Sequence, residues 1–242
     1  MDIVNKLLGT MDWARRSLRR RGFLATVKVA TSSAADLYFD WRFGTDTRTE
    51  MGAEHFEQYL ANRKHAVMYQ PSKAGPFLKL MQQLDIPERS TFMDVGCGKG
   101  KVLLLAASSE QHKFKRVVGL EFSRALCERA RKNIEIFGQK RNLLAPIQIV
   151  EGDASQYEFV GDENVIFLYN PFNGTILVRF LERLRDSLAR HPRQIWLLYS
   201  VPVHADVVDA SGFFSRSRTL NFGGNDVYVY TSQLTATAFS GR

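Results

Sequence analysis

The residues with the clearest chemical potential in this 242-residue chain lie at positions 91–106, which read TFMDVGCGKGKVLLLA. An apolar run leads into Gly96, Gly98 and Gly100, and a second apolar run follows them. Glycines permit left-handed backbone angles and let a ligand approach the main chain closely, while the first N–H groups of a helix attract a carboxylate or phosphate. Asp94, where the first run ends, can receive an ammonium group or a ligand-bound water. The spacing therefore predicts a strand, a tight turn and a helix that bind a ligand.

Polar residues also end three later apolar runs. Glu121 ends the run VVGLE, 27 residues after Asp94, and a carboxylate there can accept hydrogen bonds from both hydroxyls of a ribose. Asp153 follows the run IQIVEG, and Asn170 follows VIFLY and leads into Pro171-Phe172. Ligands of open α/β sheets bind at the edge where the carboxyl ends of the strands meet. The four run ends therefore predict one ligand-binding edge.

The elements that must position these residues follow from the periodicity of the chain. From Thr91 onward short β-rich runs alternate with helical segments, which is typical of βαβ units on a parallel sheet. The pattern predicts a helix after Ser72, strands near 91–95, 116–121, 147–150, 164–169 and 194–200, and helices near 99–108, 122–137 and 174–190. Two aromatic-rich runs, 213–221 and 226–231, flank the turn FGGN and predict an antiparallel hairpin.

These features together resemble the class I, seven-stranded S-adenosylmethionine-dependent methyltransferases over roughly residues 70–232. The resemblance rests on D-V-G-C-G-K-G at 94–100, Glu121, G-D-A at 152–154, N-P-F at 170–172 and the terminal hairpin. It implies an α/β fold with a Rossmann-like, mainly parallel seven-stranded sheet, helices on both faces and a C-terminal antiparallel hairpin. The expected domains are an N-terminal helical extension or lid at 1–65 and the methyltransferase domain at 66–235.

The resemblance also implies a binding residue for each part of the cofactor S-adenosylmethionine. Its methionine part would be surrounded by the first strand end and loop: Asp94, Gly96, Cys97, Gly98 and Gly100. Glu121 would hold the ribose, and Phe122 would flank the adenine. Asp153 and Ala154 would meet the amino edge of the adenine.

The main competing cofactor is a nicotinamide or flavin dinucleotide. Its fingerprint is G-x-G-x-x-G, whereas the spacing here is G-x-G-x-G, with Lys101 where the dinucleotide motif requires glycine. The combined motifs favour methyl transfer over hydride transfer.

The segment Asn170-Pro171-Phe172 lies where amino-methylating members of this superfamily carry N/D-P-P-Y/F. In those enzymes a side-chain amide and a carbonyl hold an NH2 group, and an aromatic ring stacks on the target. The resemblance therefore implies catalytic functions for Asn170 and Phe172. Because only one proline is present here, methylation of a nucleic-acid base is less favoured. Two alternatives stay open for Asn170: it orients the cofactor, or it belongs to a simple strand-to-helix turn.

The segment Tyr69-Gln70-Pro71-Ser72 resembles the Y-x-P element of a branch that includes lysine-specific protein methyltransferases of membrane-associated substrates. This resemblance would place Tyr69 and Gln70 over the amino-acid end of the cofactor, with Tyr69 also lining the reaction pocket. Residues 43–46, with the sequence FGTD, would then form part of a covering lid. The alternative is that Tyr69 packs against the first strand.

Charge is unevenly distributed along the chain. The whole sequence carries a net charge of +8, and residues 1–30 contribute seven cationic and two acidic side chains to it. Residues 1–41 show the periodicity of two amphipathic helices. Three interpretations of them stay open: a solvated helical cap, a surface that docks on an anionic membrane, and a cleaved targeting peptide.

Composition excludes several other classes of protein. Only Cys97 and Cys127 occur, without metal-ligand spacing, so we expect neither a disulfide framework nor a metal site. No run of 18 apolar residues is present, which argues against a membrane span. The expected location is therefore the cytoplasm, or the periphery of a membrane contacted through residues 1–30.

The sequence favours an enzyme that methylates a nitrogen or oxygen of a protein or small-molecule acceptor. The basic N-terminus keeps a nucleic-acid methyltransferase as the second hypothesis. A catalytically silent module that binds the cofactor and acts as an interaction partner is the third. The acceptor and the oligomeric state do not follow from the sequence.

Overall fold

The computed structural model of the chain describes residues 34–48, 71–222 and 224–233. Of the two helices predicted within residues 1–41, the part up to residue 33 lies outside these ranges, as do Tyr69 and Gln70. No helix in the described part of the chain is long and apolar enough to span a membrane.

Seven strands form a single sheet, and their order across it is β3-β2-β1-β4-β5-β7-β6. The strands are β1 (Thr91–Val95), β2 (Arg116–Glu121), β3 (Ile147–Glu151), β4 (Glu163–Tyr169), β5 (Trp196–Ser200), β6 (Phe214–Phe222) and β7 (Asn225–Ser232). Strands β1 to β5 run parallel, whereas β7 is antiparallel to β5 and β6 is antiparallel to β7. The predicted mainly parallel sheet with a C-terminal hairpin is therefore confirmed.

Six helices are described around this sheet. They are α1 (34–43), α2 (Ala74–Gln82), α3 (Lys101–Ala107), α4 (Arg124–Gly138), α5 (Gly174–Arg190) and α6 (Ala205–Asp209), with a 3₁₀ turn at Ala154–Gln156. Side-chain caps fix the start of the two longest helices. Ser123 accepts a hydrogen bond from the Leu126 amide at α4, and Asn173 accepts one from the Ile176 amide at α5.

The sheet is covered on both faces, as expected. Alternating side chains of β4 point to opposite sides, so Phe167 joins one core and Leu168 the other. The first core contains residues of α2 and α3, together with Phe39 of α1 and Phe137 of α4. The second contains residues of α5 and α6. Strands β1, β2, β4 and β5 are buried on both sides, which explains their nearly continuous apolar sequences.

The structure differs from the sequence analysis at residues 40–43. An irregular connection is predicted from Asp40 onward, but α1 continues to Phe43. The reason is aromatic packing: the ring of Phe43 lies 4.5 Å from that of Phe137, and the ring of Phe39 lies 5.9 Å from it. The predicted boundary at residue 65, between the N-terminal extension and the methyltransferase domain, stays a prediction. Helix α1, which precedes this boundary, packs into the same core as α2 and α3.

Candidate active site

The loop after β1 has the backbone geometry that its glycines permit. Gly96, Gly98 and Gly100 have φ angles of 77°, 53° and 84°, in the left-handed region. The amides of Gly96 and Cys97 donate hydrogen bonds to the Leu120 carbonyl of β2, at 2.8 and 3.1 Å. The loop therefore turns sharply across the carboxyl end of β2 and leaves its glycine backbone without side chains over this edge of the sheet.

Glu121 connects this loop to the end of β2. One carboxylate oxygen accepts a hydrogen bond from the Gly98 amide at 3.0 Å, and the other accepts one from the Ser123 amide at 2.9 Å. Burial raises the pKa of Glu121, and the backbone hydrogen bonds oppose that increase. A carboxylate has about four lone-pair positions, so Glu121 keeps further capacity to accept hydrogen bonds from a ligand.

Asp94 lies beside Glu121 and is also buried, with 4% of its surface exposed. Burial raises the pKa of Asp94 well above its usual value, and the negative charge of Glu121 raises it further. Two carboxyl groups thus lie at one edge of the sheet in a region that disfavours their ionised forms. A cationic ligand would stabilise both ionised groups.

The end of β3 lies next to this pair. The Gly152 amide donates a hydrogen bond to the Glu121 carbonyl at 2.9 Å, which joins the ends of β2 and β3. Asp153 is half-buried, and its side chain accepts a hydrogen bond from the Ser155 amide at 2.8 Å. Ala154 is buried, and Phe122 is half-buried after Glu121. The predicted adenine contacts therefore share one edge with the predicted ribose and methionine contacts.

Asn170 follows β4 at the same edge, in an unusual state. Its φ angle is 41°, which is uncommon for a residue other than glycine. Its side-chain oxygen is buried and has no hydrogen-bond partner within the described part of the chain. Strained backbone and an unsatisfied buried acceptor each cost of order 1–3 kcal/mol, and such features cluster at functional sites. This geometry makes Asn170 a candidate ligand-binding residue.

Pro171 and Phe172 have different surroundings. A methyl group added at Gly96 would lie 2.5 Å from the Pro171 side chain, so Pro171 packs directly on the glycine loop. Phe172 is buried in the second core, with its ring 6.2 Å from that of Phe180 in α5. Little of the Phe172 ring is accessible for stacking on a substrate, and its catalytic function stays a prediction.

Cys97 is packed inside the turn. Its sulfur would lie 2.7 Å from a methyl group added at Gly119, so it fills the space above β2 at that glycine. Burial raises the pKa of the Cys97 thiol well above its usual value. A protonated, packed thiol is a poor nucleophile, which agrees with its interpretation as a small residue in a tight turn.

Two features of this edge are not evident from the sequence. Lys99 in the glycine loop and Lys101 at the start of α3 are buried, and they form ion pairs with Asp46 and Asp36, respectively. A narrow cavity also opens between α2 and the ends of β4, β5 and β7. Neither feature has a local signal in the sequence, because the ion pairs join residues 53 and 65 positions apart and the cavity lies between elements that are distant along the chain.

The family comparisons agree with this geometry. Residues 92–191 match a family described as a methyltransferase domain. Among solved structures, a SAM-dependent methyltransferase from Aquifex aeolicus is 15% identical, with a TM-score of 0.51, over 64% of this chain and 88% of that one. The B. subtilis M1A22 tRNA methyltransferase TrmK is 17% identical, with a TM-score of 0.50, over 65% of each chain. This chain therefore spans slightly less than two thirds of TrmK. No curated protein matches the chain.

The fold and the family match define a class I methyltransferase domain with a Rossmann-like sheet. Residues 92–191 thus form a domain similar to S-adenosylmethionine-dependent methyltransferases, so S-adenosylmethionine is the cofactor to compare with this site. The described residues fit that cofactor. Buried carboxyl groups at Asp94 and Glu121 match its cationic groups and its ribose hydroxyls, and the loop at 96–100 leaves space for close approach.

Proposed function

We propose that the chain methylates a nitrogen atom of a protein or small-molecule acceptor. The observation that supports this proposal is the buried side-chain oxygen of Asn170, which has no hydrogen-bond partner among the described residues and is held on a strained backbone at the end of β4. An acceptor N–H group that donates a hydrogen bond to this oxygen would satisfy it.

Asn170 would select and orient the acceptor. When bound, S-adenosylmethionine supplies a methyl group that leaves its sulfonium sulfur for the acceptor atom, with the bonding electrons remaining on sulfur. The amide of Asn170 has no basic group, so it suits a neutral amine, which reacts without first losing a proton, better than a hydroxyl group. Holding the acceptor in line and within about 3–3.5 Å of its reaction partner accounts for much of the barrier reduction.

The cofactor contacts proposed for this reaction are those of the sequence analysis. Asp94 and the loop residues 96–100 would bind the methionine part, Glu121 the ribose, and Phe122, Asp153 and Ala154 the adenine. Tyr69 and Gln70 would complete the methionine end, with Tyr69 and Phe172 beside the acceptor.

The cavity beside α2 supports an approach for the acceptor from this side. Tyr169, the residue before Asn170, lines it, and the Tyr169 hydroxyl accepts a hydrogen bond from the Asn225 side chain at 3.4 Å. The rest of the lining combines small polar and apolar groups with one lysine: Ser72, Lys73, Pro76, Phe77, Leu80, Phe167, Ser200, Phe222 and Val227. No carboxylate is among these described lining residues, and Lys73 adds a positive charge, so the lining disfavours a cationic acceptor group.

Nucleic acid is the second candidate acceptor. The net charge of +8 favours polyanionic partners, and TrmK, which shares the fold, is a tRNA methyltransferase. The single proline after Asn170 weighs against a base acceptor.

One labelling experiment separates these possibilities. The full-length protein is incubated with methyl-labelled S-adenosylmethionine and cell extract, and the products are treated separately with protease and nuclease or passed through a small-pore filter. We expect label that is protease-sensitive or filterable and that falls by about a hundredfold in Asn170→Ala. Label removed by nuclease alone would indicate nucleic-acid methylation, and cofactor binding without any product would indicate a silent module.

A further inference from the structure

The glycine loop at 96–100 carries a buried positive charge, and an acid from a segment distant in sequence neutralises it. Lys99 lies between Gly98 and Gly100 and is 2% exposed. Its ammonium nitrogen lies 3.1 and 3.3 Å from the two carboxylate oxygens of Asp46, which comes from the segment after α1. A buried ammonium group is costly unless it is paired, so the side chain of Lys99 stays inside only while Asp46 is in place.

Asn133 of α4 joins the same two segments through their backbones. It is 1% exposed, and its side-chain nitrogen donates hydrogen bonds to the Lys99 carbonyl at 2.9 Å and to the Asp46 carbonyl at 3.0 Å. Its side-chain oxygen accepts a hydrogen bond from the Asp46 amide at 2.9 Å. All the hydrogen-bonding positions of the amide nitrogen are thus used on this junction.

The segment that presents Asp46 is itself braced. The Asp40 carboxylate accepts hydrogen bonds from the Thr45 and Thr47 hydroxyls, both at 2.7 Å, and from the Thr47 amide at 3.0 Å. Thr47 is fully buried. The turn at 44–47 therefore holds Asp46 in a fixed position rather than as a mobile surface acid.

We infer that Asp46 and Asn133 are positioning residues for the cofactor. They hold Lys99, and with it the left-handed angles of Gly98 and Gly100, in the geometry that accepts the methionine part of S-adenosylmethionine. This inference rests on the proposed placement of the cofactor on the loop at 96–100. If it is correct, residues 44–48 increase the affinity for the cofactor, although their side chains act only through the loop at 96–100.

The test uses two ligands that differ in the part held by the loop. S-adenosylhomocysteine has the amino-acid group, whereas 5′-methylthioadenosine has the nucleoside without it. In Asp46→Ala of the full-length protein we expect the Kd for S-adenosylhomocysteine to rise about tenfold, and that for 5′-methylthioadenosine by less than about threefold, by calorimetry. Lys99→Ala should show the same split, and Lys99→Arg, which keeps the ion pair, should restore most of the affinity.

Asp36→Asn is the matched control, because Asp36 forms the other buried pair of this region, with Lys101. It should lower thermal stability without changing the ratio of the two Kd values. Three results would overturn this inference but not the proposed function: Asp46→Ala weakens the binding of both ligands equally, Asp46→Ala weakens neither, or Asp36→Asn shows the same difference between the two ligands. If Glu121→Ala left both affinities unchanged, the placement of the cofactor would be wrong, and the inference would fail with it.

Discussion

Asp94 and Glu121 show a conflict between stability and binding at the scale of single residues. Both carboxyl groups are buried, and burial raises the pKa of each. A raised pKa in the folded protein means that ionisation of the group opposes folding. The pair therefore contributes stability at low pH and loses that contribution as the pH rises through the raised pKa values. A cationic cofactor reverses the balance by favouring the ionised forms.

Replacing Asp94 with asparagine should separate these two effects. The variant keeps the shape of the side chain but removes a buried charge, so the ligand-free protein should gain about 1 kcal/mol or more at neutral pH. Its affinity for S-adenosylhomocysteine should fall at least about tenfold, because the ammonium loses its charged partner. Thermal unfolding without the ligand measures the change in stability, and unfolding with the ligand measures the change in affinity. A less stable ligand-free variant would contradict this account of Asp94.

The pH dependence of cofactor binding should follow from the same two groups. Since only the ionised carboxylates bind the ligand's ammonium and ribose groups well, affinity should decrease as the pH falls through the raised pKa values of Asp94 and Glu121. This decrease should begin at a higher pH than the ordinary carboxylate range of about 4. Calorimetric titrations of S-adenosylhomocysteine over a pH series measure it. In Asp94→Asn the decrease should be smaller, and an unchanged profile would argue against Asp94 as its source.

Asn170 shows what sequence alone can say about a site residue. Its position after an apolar run and before proline predicts a polar group at the edge of the sheet. The left-handed φ angle, and the lack of a hydrogen-bond partner among the residues that the structure describes, depend on packing around β4, which no local pattern encodes. Phe172 is a second example. The resemblance implies that its ring stacks on the substrate, but the structure shows the ring buried in the second core, and the sequence does not indicate this burial.

At the scale of elements, the turn between β1 and α3 depends on two different properties of glycine. Gly96→Ala introduces a methyl group 2.5 Å from Pro171 in a backbone with a φ of 77°, so both steric overlap and backbone strain act against it. We expect a loss of about 2–4 kcal/mol of stability and weaker cofactor binding.

Gly212→Ala is the control for backbone strain alone. Gly212 has a φ of 79°, but nothing lies within 4 Å of an added methyl group. This variant should lose only about 1 kcal/mol and keep its cofactor affinity. Denaturant unfolding and calorimetry compare the two variants. Similar losses in both would show that contact with Pro171 is unimportant.

The strands were more predictable than the contacts between elements. β2 occupies the predicted residues 116–121, because a strand buried on both faces appears as an unbroken apolar run. Helix α1 was predicted to end too early, since the charged residues Asp40 and Arg42 conceal the packing of Phe43. Helix α6 has five residues and too little periodicity to be detected. Ion pairs such as Asp36–Lys101 join residues 65 positions apart and leave no local signal.

This ion pair also indicates how firmly α1 is attached to the domain. Lys101 and Asp36 are 3% and 7% exposed, and Asp36 also accepts a hydrogen bond from the Ala74 amide at the start of α2. Asp36→Ala leaves the ammonium buried without its partner and should cost about 3–5 kcal/mol. Glu88→Ala breaks the exposed pair with Lys113 and should cost less than about 1 kcal/mol. Equal costs in denaturant unfolding would mean that α1 is only loosely attached.

At the scale of the whole molecule, net positive charge is concentrated in residues 1–30 of the sequence. Residues 1–30 hold seven of the 33 lysines and arginines and only two of the 25 acids, so they carry much of the net charge of +8. The described site, by contrast, neutralises its own lysines with acids and holds two further buried carboxyl groups. We therefore expect the attraction of polyanions and the binding of the cofactor to depend on different parts of the sequence.

Neutralising the arginine cluster should separate these two properties. Glutamine at Arg15, Arg16, Arg19, Arg20 and Arg21 removes five positive charges, so the protein should elute from heparin at lower salt and its retention should depend less steeply on salt. The Kd for S-adenosylhomocysteine should stay within about twofold of the original, because none of the residues proposed to bind the cofactor belongs to this cluster. If the acceptor were a nucleic acid, the same variant would also lose nuclease-sensitive methyl label. Under the proposed function, protease-sensitive or filterable label should persist, and its loss would show that the cluster recruits the acceptor itself.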